Sequence, residues 1–270
     1  MTSPATSRRS AALITGGSGG IGLELARCLA RDRHELVIVA RREAGLAAAA
    51  AELRSAGAAG VTTVPADLAR PEEVERLLAT LHASALEIGI LVNNAGFGTA
   101  GAFARTPLED ELAMIQTNVA ALTHLTKRLL PGMLRRHSGR ILNVASTAAF
   151  QPGPFMAVYY ATKAYVLSFS QALAEELRDS GVTVTALCPG PTSTSFAARA
   201  GMEETRLFAR NITMTAAAVA REGYAGMLRG ERIVVPGAGN KLVAHAGRLV
   251  PRALVTRISR RLNERRSRRD

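Results

Sequence analysis

Ala11-Ala12-Leu13-Ile14-Thr15-Gly16-Gly17-Ser18-Gly19-Gly20-Ile21-Gly22 is a short apolar run that breaks into a glycine-rich turn. Ile21, Leu25 and Leu29 then recur at helical spacing, so the turn opens a helix. A strand that passes through glycines into a helix N-terminus makes a phosphate cradle. Glycine lets the backbone approach closely, and the free N–H groups and the helix dipole face the anion. The spacing is Gly-x-x-x-Gly-x-Gly rather than Gly-x-Gly-x-x-Gly, and a glycine-rich turn alone also serves as a plain loop.

The chain beyond repeats the strand-then-helix unit. Glu35 to Ala40 reads as a strand ending at Arg41-Arg42. An acid there would hold a ribose hydroxyl, as in NAD-selective sites. Ala40 followed by two guanidiniums suits a 2′-phosphate, so NADPH is expected over NADH; the alternative is a solvated pair at a helix start. An alanine-rich helix (Ala44 to Ser55) and a strand (Val61 to Ala66) lead to Asp67-Leu68. Pro71-Glu72-Glu73 opens another helix, and the strand Ile88 to Val92 ends in Asn93-Asn94-Ala95-Gly96. Thr106-Pro107-Leu108-Glu109 has capping-box spacing and predicts a helix to about Leu130, stopped by Pro131-Gly132, with Asn118 in its middle. Val182 to Leu187 is a sixth strand, ending in Cys188-Pro189-Gly190-Pro191-Thr192-Ser193-Thr194, and Ile233-Val234-Val235 closes the sheet as a seventh. Regular alternation of strand and helix implies one α/β domain: a doubly wound parallel sheet of about seven strands with helices on both faces.

Two segments carry candidate chemistry. Arg140-Ile141-Leu142-Asn143-Val144-Ala145-Ser146 alternates like a buried strand and delivers a hydroxyl to the carboxyl end of the sheet, where open α/β sheets bind ligands. Tyr159-Tyr160-Ala161-Thr162-Lys163 lies in a long helical pattern that puts Tyr159 and Lys163 one turn apart. An ammonium beside a phenol favours the phenolate, so the tyrosine pKa is expected to fall from near 10 towards the range useful for acid–base work. By itself Tyr-x-x-x-Lys is also what an exposed tyrosine beside a solvated lysine looks like.

Hydrophobic residues at 47% against 21% charged indicate a globular chain with a real core. No apolar run is long enough to span a membrane, and the polar, basic Met1 to Ser10 lacks a signal-peptide core, so a cytoplasmic protein is expected. Cys28 and Cys188 have no partner spacing, the histidines are scattered, and no metal site is expected. The net charge of +12 is concentrated: Lys241 to Asp270 carry ten Lys+Arg against two acids. The basic character therefore belongs to a tail, not to a nucleic-acid-binding body.

Thr15-Gly16-x-x-x-Gly20-Ile21-Gly22, Asp67, Asn93-Asn94-Ala95-Gly96, Asn118, Ser146, Tyr159-x-x-x-Lys163 and Pro189-Gly190-x-x-x-Thr194 stand in the order and spacing of the short-chain dehydrogenase/reductase family. The chain resembles that family from about Ala11 to Pro236, and its wording is similar to the broad bacterial branch described as DltE-like. The resemblance implies that Tyr159 moves the proton to or from the substrate oxygen and that Ser146 hydrogen-bonds that oxygen. It implies that Lys163 lowers the tyrosine pKa and binds the nicotinamide ribose, and that Asn118 holds a water in the proton relay. Thr15, Gly16, Ser18, Gly20, Ile21 and Gly22 would seat the pyrophosphate. Asp67 and Leu68 would meet the adenine and Asn93 the adenosine side, with Ala95 and Gly96 beside it. Tyr159 and Lys163 would also touch the cofactor, and Pro189, Gly190, Thr192 and Thr194 would flank the nicotinamide. A homodimer or homotetramer is the family expectation.

The domain is expected at residues 11–240, after a polar segment 1–10, with a substrate lid at 195–230 and a basic amphipathic tail at 241–270. Phe196, Met202, Leu207, Phe208, Ile212 and Met214 make the lid apolar, and Phe97, Phe103, Phe150, Phe155 and Met156 are candidates for the same cleft, or for core. In the tail, Leu242, Val243, Leu249, Val250, Leu254, Val255, Ile258 and Leu262 recur between basic residues. Such a segment either lies on an anionic membrane at the inner face or packs on its own domain or a second subunit. The expected function is an NADP(H)-dependent interconversion of a carbonyl and an alcohol on a medium-sized apolar substrate. The rival is a cofactor-binding regulatory or scaffold protein. A Ser146 hydrolase is disfavoured because Gly-x-Ser-x-Gly and a triad histidine are missing.

Overall fold

Ala12 and Ile14 face one side of their strand, Ala11 and Leu13 the other, and all four are buried. A strand buried on both faces needs helices above and below it. The computed structural model describes residues 9–84, 86–202, 205, 213–246 and 251–264. In it β1 (Arg9–Thr15) pairs in parallel with β2 (Glu35–Ala40) on one side and β4 (Leu86–Asn93) on the other. β3 (Gly60–Pro65), β5 (Gly139–Val144), β6 (Val182–Leu187) and the short β9 (Ile233–Val234) complete a seven-stranded sheet ordered β3-β2-β1-β4-β5-β6-β9. β7 (Thr192–Ser193) and β8 (Met214–Thr215) form a separate two-stranded ladder over the carboxyl edge.

One face is covered by α1 (Gly20–Arg31), α2 (Glu43–Ser55) and α8 (Ala216–Leu228). The other is covered by α3 (Pro71–Ala83), α5 (Leu122–Arg135) and α6 (Ala157–Glu176). The remaining helices are α4 (Leu108–Ile115), the short α7 (Phe196–Ala200), α9 (Ala238–Ala246) and α10 (Arg252–Asn263). The doubly wound parallel sheet is therefore as expected. β1 starts at Arg9, two residues before the expected domain boundary, because its ladder with Leu86 and Glu87 extends the strand into polar sequence.

Two local expectations are corrected. The capping box does not form: Thr106 Oγ1 donates to the Phe103 carbonyl at 3.1 Å, and α4 starts after Pro107 without a side-chain cap. Nor does Pro131 stop the helix, which runs to Arg135. An internal proline costs about 3 kcal/mol, and full burial of Met133 returns about 1.5–3 kcal/mol, so packing of the last turn offsets the break. Between α4 and α5 the backbone widens into a π-helical turn, Gln116–Ala121, which contains Asn118.

Candidate active site

The chain runs outward from β1 to β3 and returns at β4, so strand order reverses between β1 and β4. Ligands of open α/β sheets bind at such a switch point. Gly16 and Gly20 sit there at φ 65° and 56°, which side chains avoid. A β-carbon on Gly22 would stand 2.3 Å from the Gly16 carbonyl oxygen. The first turn of α1 has no side-chain cap and no acid, leaving its N–H groups for an anion. Thr15 ties this turn to β4: its hydroxyl donates to Val92 O and accepts from Asn94 N and Ala95 N. Asn94 Nδ2 donates to the carbonyls of Thr15 and Gly16, so Asn94 braces the glycine loop directly. The motif contained Asn94, but nothing in its wording separated this residue from Asn93.

Asn93 is corrected. Its side chain does not face the adenosine side but points inward, where Nδ2 donates to Thr126 Oγ1 and Asn143 Oδ1. Asn143 Nδ2 continues the chain to Ser170 Oγ, forming a polar spine beneath the helices. Asp67 accepts from Ala69 N at the end of β3, and Leu68 is buried beside it. Arg41 and Arg42 are exposed at the end of β2, and neither has an ion-pair partner among the described residues. Ser18 lies near the start of α2, where a β-carbon on Gly45 would be 3.6 Å from its own. A glycine cradle at an uncapped helix start, with two exposed guanidiniums one strand away, fits a dinucleotide carrying a 2′-phosphate.

The catalytic candidates converge one strand further on. Ser146 follows β5, accepts from Ala148 N at 3.1 Å and donates to Pro189 O at 3.4 Å. The Tyr159 phenol lies near Ser146, close enough for the serine hydroxyl to act on its pKa. Lys163 is buried, donates to Val144 O at 2.8 Å, and lies 5.8 Å from the centroid of the Tyr159 ring. A β-carbon on Gly96 would come within 3.5 Å of Lys163 Nζ, which places the end of β4 against the lysine.

The electrostatics differ from the sequence expectation. Burial pushes the Tyr159 phenol above its ordinary value, and the nearby Ser146 hydroxyl only partly opposes this. Burial also lowers Lys163 to about 8, and it raises the neighbouring Cys188 thiol to about 12. The Lys163 ammonium is directed at a backbone carbonyl, which weakens its pull on the phenol and leaves burial as the larger influence. Asn118 lies in the π-helical turn with its side chain fully engaged. It is 1% exposed; Oδ1 accepts from Phe97 N, and Nδ2 donates to Phe97 O and Thr162 Oγ1. Its amide fixes the loop after β4 to α6.

After β6, Pro189 O accepts from Thr147 N, and a β-carbon on Gly190 would strike Asn240 of α9. The Thr192 hydroxyl turns back on Gly190 O, so it is directed into its own loop. Thr194 reaches over to the glycine loop, where a β-carbon on Gly20 would be 3.4 Å from its methyl.

Of the apolar candidates, Met156, Phe196 and Met202 gather around Tyr159 with Ala100 and Ala148. The Phe196 ring centroid is 5.3 Å from that of Tyr159. Phe150 joins a different cluster, Met214 packs under α8, and Phe103 is exposed. Phe97 contributes its backbone to Asn118, and Phe155 faces α10. Leu207, Phe208, Ile212, Leu249 and Val250 lie outside the described residues.

Known proteins resemble this chain in sequence and fold. The model of the short chain dehydrogenase family matches residues 10–205. The chain is 35% identical over 181 residues to ketoacyl reductase HetN from a Nostoc species, spanning 67% of this chain and 63% of that protein's length. Among solved structures it is similar to a short-chain dehydrogenase from Sphingobium yanoikuyae in complex with NADPH. That match has TM-score 0.80 and 35% identity, and it covers 89% of this chain and 93% of the other. A bulky-bulky ketone specific alcohol dehydrogenase from Comamonas testosteroni matches with TM-score 0.75 and 30% identity, over 90% and 93% of the two chains. The chain belongs to the short-chain dehydrogenase family.

Proposed function

We propose that this chain is an NADP(H)-dependent oxidoreductase that interconverts a carbonyl and an alcohol, with Tyr159 as general acid–base and a medium-sized, largely apolar ketone as substrate. The observation that carries this reading is the convergence of Ser146, Tyr159 and Lys163 beside the glycine cradle, walled by Met156, Phe196 and Met202. Bound on the glycine cradle, NADPH would supply the hydride. The Ser146 hydroxyl, fixed by Ala148 N, orients the substrate oxygen, and Tyr159 passes its proton to that oxygen. Lys163 holds positive charge close to the phenolate that remains. With its amide engaged, Asn118 meets the relay through its main chain in the π-helical turn, a kind of bulge common at functional sites.

The substrate class draws on relatives. The HetN protein is named a ketoacyl reductase and the Comamonas enzyme is named for bulky ketones, and an apolar wall suits both. The test is nicotinamide absorbance with NADPH and NADH over 3-ketoacyl thioesters, bulky aryl ketones, ketosteroids and small aldehydes. Turnover of bulky ketones with NADPH is expected. Silence across the panel despite tight NADPH binding would favour the regulatory reading. Replacing Arg41 and Arg42 together by Ala is expected to weaken NADPH binding by about 10–100-fold, the scale of one or two charge-assisted hydrogen bonds, and to leave NADH unchanged. Equal loss for both cofactors would show that neither arginine reads the phosphate.

A second copy of the chain is the proposed partner. Leu108, Leu112 and Ile115 share one face of α4 and are 63%, 55% and 42% exposed, beside exposed Tyr165 of α6. Leu112→Asp is expected to convert a homodimer or homotetramer to a smaller species by light scattering; an unchanged mass would place the interface elsewhere. The basic tail supports a further contact. No helix among the described residues is long and apolar enough to cross a membrane. The outward face of α10 presents Leu254 and Ile258, each 49% exposed, among exposed Arg257 and Arg261, a pattern that suits peripheral contact with an anionic bilayer at its cytoplasmic face. Charge-reversal of Arg257 and Arg261 is expected to abolish co-sedimentation with anionic vesicles. If the unaltered protein stays in the supernatant, the membrane contact is wrong.

A further inference from the structure

The chain that links Ser146 to Tyr159 is held from outside by the C-terminal helix. Asn263, on the last turn of α10 and 4% exposed, accepts from the Tyr160 hydroxyl at 3.2 Å through Oδ1. Its Nδ2 donates to Pro154 O at 2.9 Å. One amide thus bridges the substrate-side loop and the residue next to Tyr159. Arg260, one turn earlier, lies 5.6 Å from the centroid of the Phe155 ring. Phe155 itself has φ 66°, a left-handed backbone that strains a bulky residue. Such a conformation persists only where surroundings over-determine it. Here the surroundings are Gly101 N, which donates to Phe155 O, and the α10 contacts on either side of the turn.

The next residue, Met156, is part of the wall against Tyr159: a β-carbon on Gly98 would touch Met156, Tyr159 and Phe196 at 3.0–3.1 Å. Tyr160 closes the other side, its ring edge-on to Tyr159 with centroids 6.1 Å apart and packed against Gly153. The attachment of α10 is narrow. Its buried residues are Val255, Ser259 and Asn263, and the Ser259 hydroxyl has no hydrogen-bond partner among the described residues. The docked face therefore depends on Asn263 more than on apolar area.

We propose that α10 is a clasp on the substrate entrance, and that Asn263 is a positioning residue that sets substrate size selectivity through Pro154 and Tyr160. The selectivity part rests on the reductase reading; the clasp itself does not. With the clasp closed, the strained turn at Phe155 holds Met156 against Tyr159 and narrows the entrance. With it released, the turn relaxes, the wall recedes, and small ketones lose their fit while bulky ones do not.

The test compares full-length wild-type protein with Asn263→Ala, Tyr160→Phe and the double variant. Hydrogen exchange of amides 151–160 is expected to quicken about tenfold in Asn263→Ala, less in Tyr160→Phe, which keeps the Asn263–Pro154 bond, and no further in the double than in Asn263→Ala, which already removes both bonds. NADPH affinity is expected to stay unchanged. The ratio of kcat/KM for a small ketone to that for a bulky one is expected to fall about three- to tenfold through KM, with kcat preserved. Exchange at 151–160 that does not change, or additive effects of the two substitutions, would overturn the clasp. A selectivity ratio that stays constant while exchange quickens would overturn the role of Asn263 in substrate choice. The exchange measurement needs no turnover, so an absence of reductase activity in the wild type would be told apart from failure of the clasp.

Discussion

Tyr159→Phe lowers turnover by about 10²–10⁴-fold, the range for loss of a positioned general acid–base, while NADPH binding and the melting temperature stay near wild type. The phenyl ring keeps the contacts with Phe196 and Tyr160, so only the proton donor is lost. The raised phenol shapes the pH dependence. In the reductive direction the hydroxyl must be protonated, and burial keeps it so across the whole working range. Lys163 is the group that titrates: with its pKa lowered to about 8, it carries its charge below that pH and loses it above. Reduction is therefore expected to be level below about pH 8 and to decline above it, as the charge that stabilises the developing phenolate disappears. Wild-type turnover in the phenylalanine variant would refute the mechanism outright. A profile level through the ordinary lysine range would show that the charge of Lys163 plays no part.

The layout of the sheet was legible because each buried strand is a continuous apolar run punctuated by glycine, proline or a polar pair, as at Ile14-Thr15-Gly16 and Val92-Asn93-Asn94. The proximity of the candidate set was legible for the same reason: Ser146 follows a strand, and Tyr159 and Lys163 share a helix face. What failed was whatever depends on depth or on distant chain. Spacing puts an ammonium near Tyr159, but the pKa of each group follows how much water the fold removes, and that is a tertiary property. Asn93 and Asn94 are adjacent and chemically identical; one enters the core and the other braces the glycine loop because the strand ends between them. Pro131 obeys a local rule that burial of Met133 overrides. Asn263 meets Tyr160 across 103 residues of sequence, and no local pattern announces such a bond.

Gly22→Ala is expected to remove NADPH binding, with an affinity loss of at least about 10²-fold, and to lower thermal stability. The added methyl would lie 2.3 Å from the Gly16 carbonyl and 2.4 Å from Asn94 Nδ2, both parts of a rigid brace. Neither neighbour is the free end of a flexible chain. Gly16 O is backbone, and Asn94 Nδ2 is held by the Thr15 and Gly16 carbonyls. Relief of the overlap therefore requires α1 to move away from β4, which carries the first-turn N–H groups off the position where they meet an anion. Overpacking of this kind costs about 1–3 kcal/mol in stability. The functional loss is greater, since pyrophosphate recognition depends on several N–H groups aimed at one point. Asn94→Ala separates the two effects: it removes the brace without adding bulk, so stability should fall while NADPH binding weakens only about tenfold, the scale of one or two lost hydrogen bonds. Retention of full NADPH affinity by Gly22→Ala, measured by cofactor fluorescence titration on folded protein, would mean that the pyrophosphate is not seated on the N-terminus of α1.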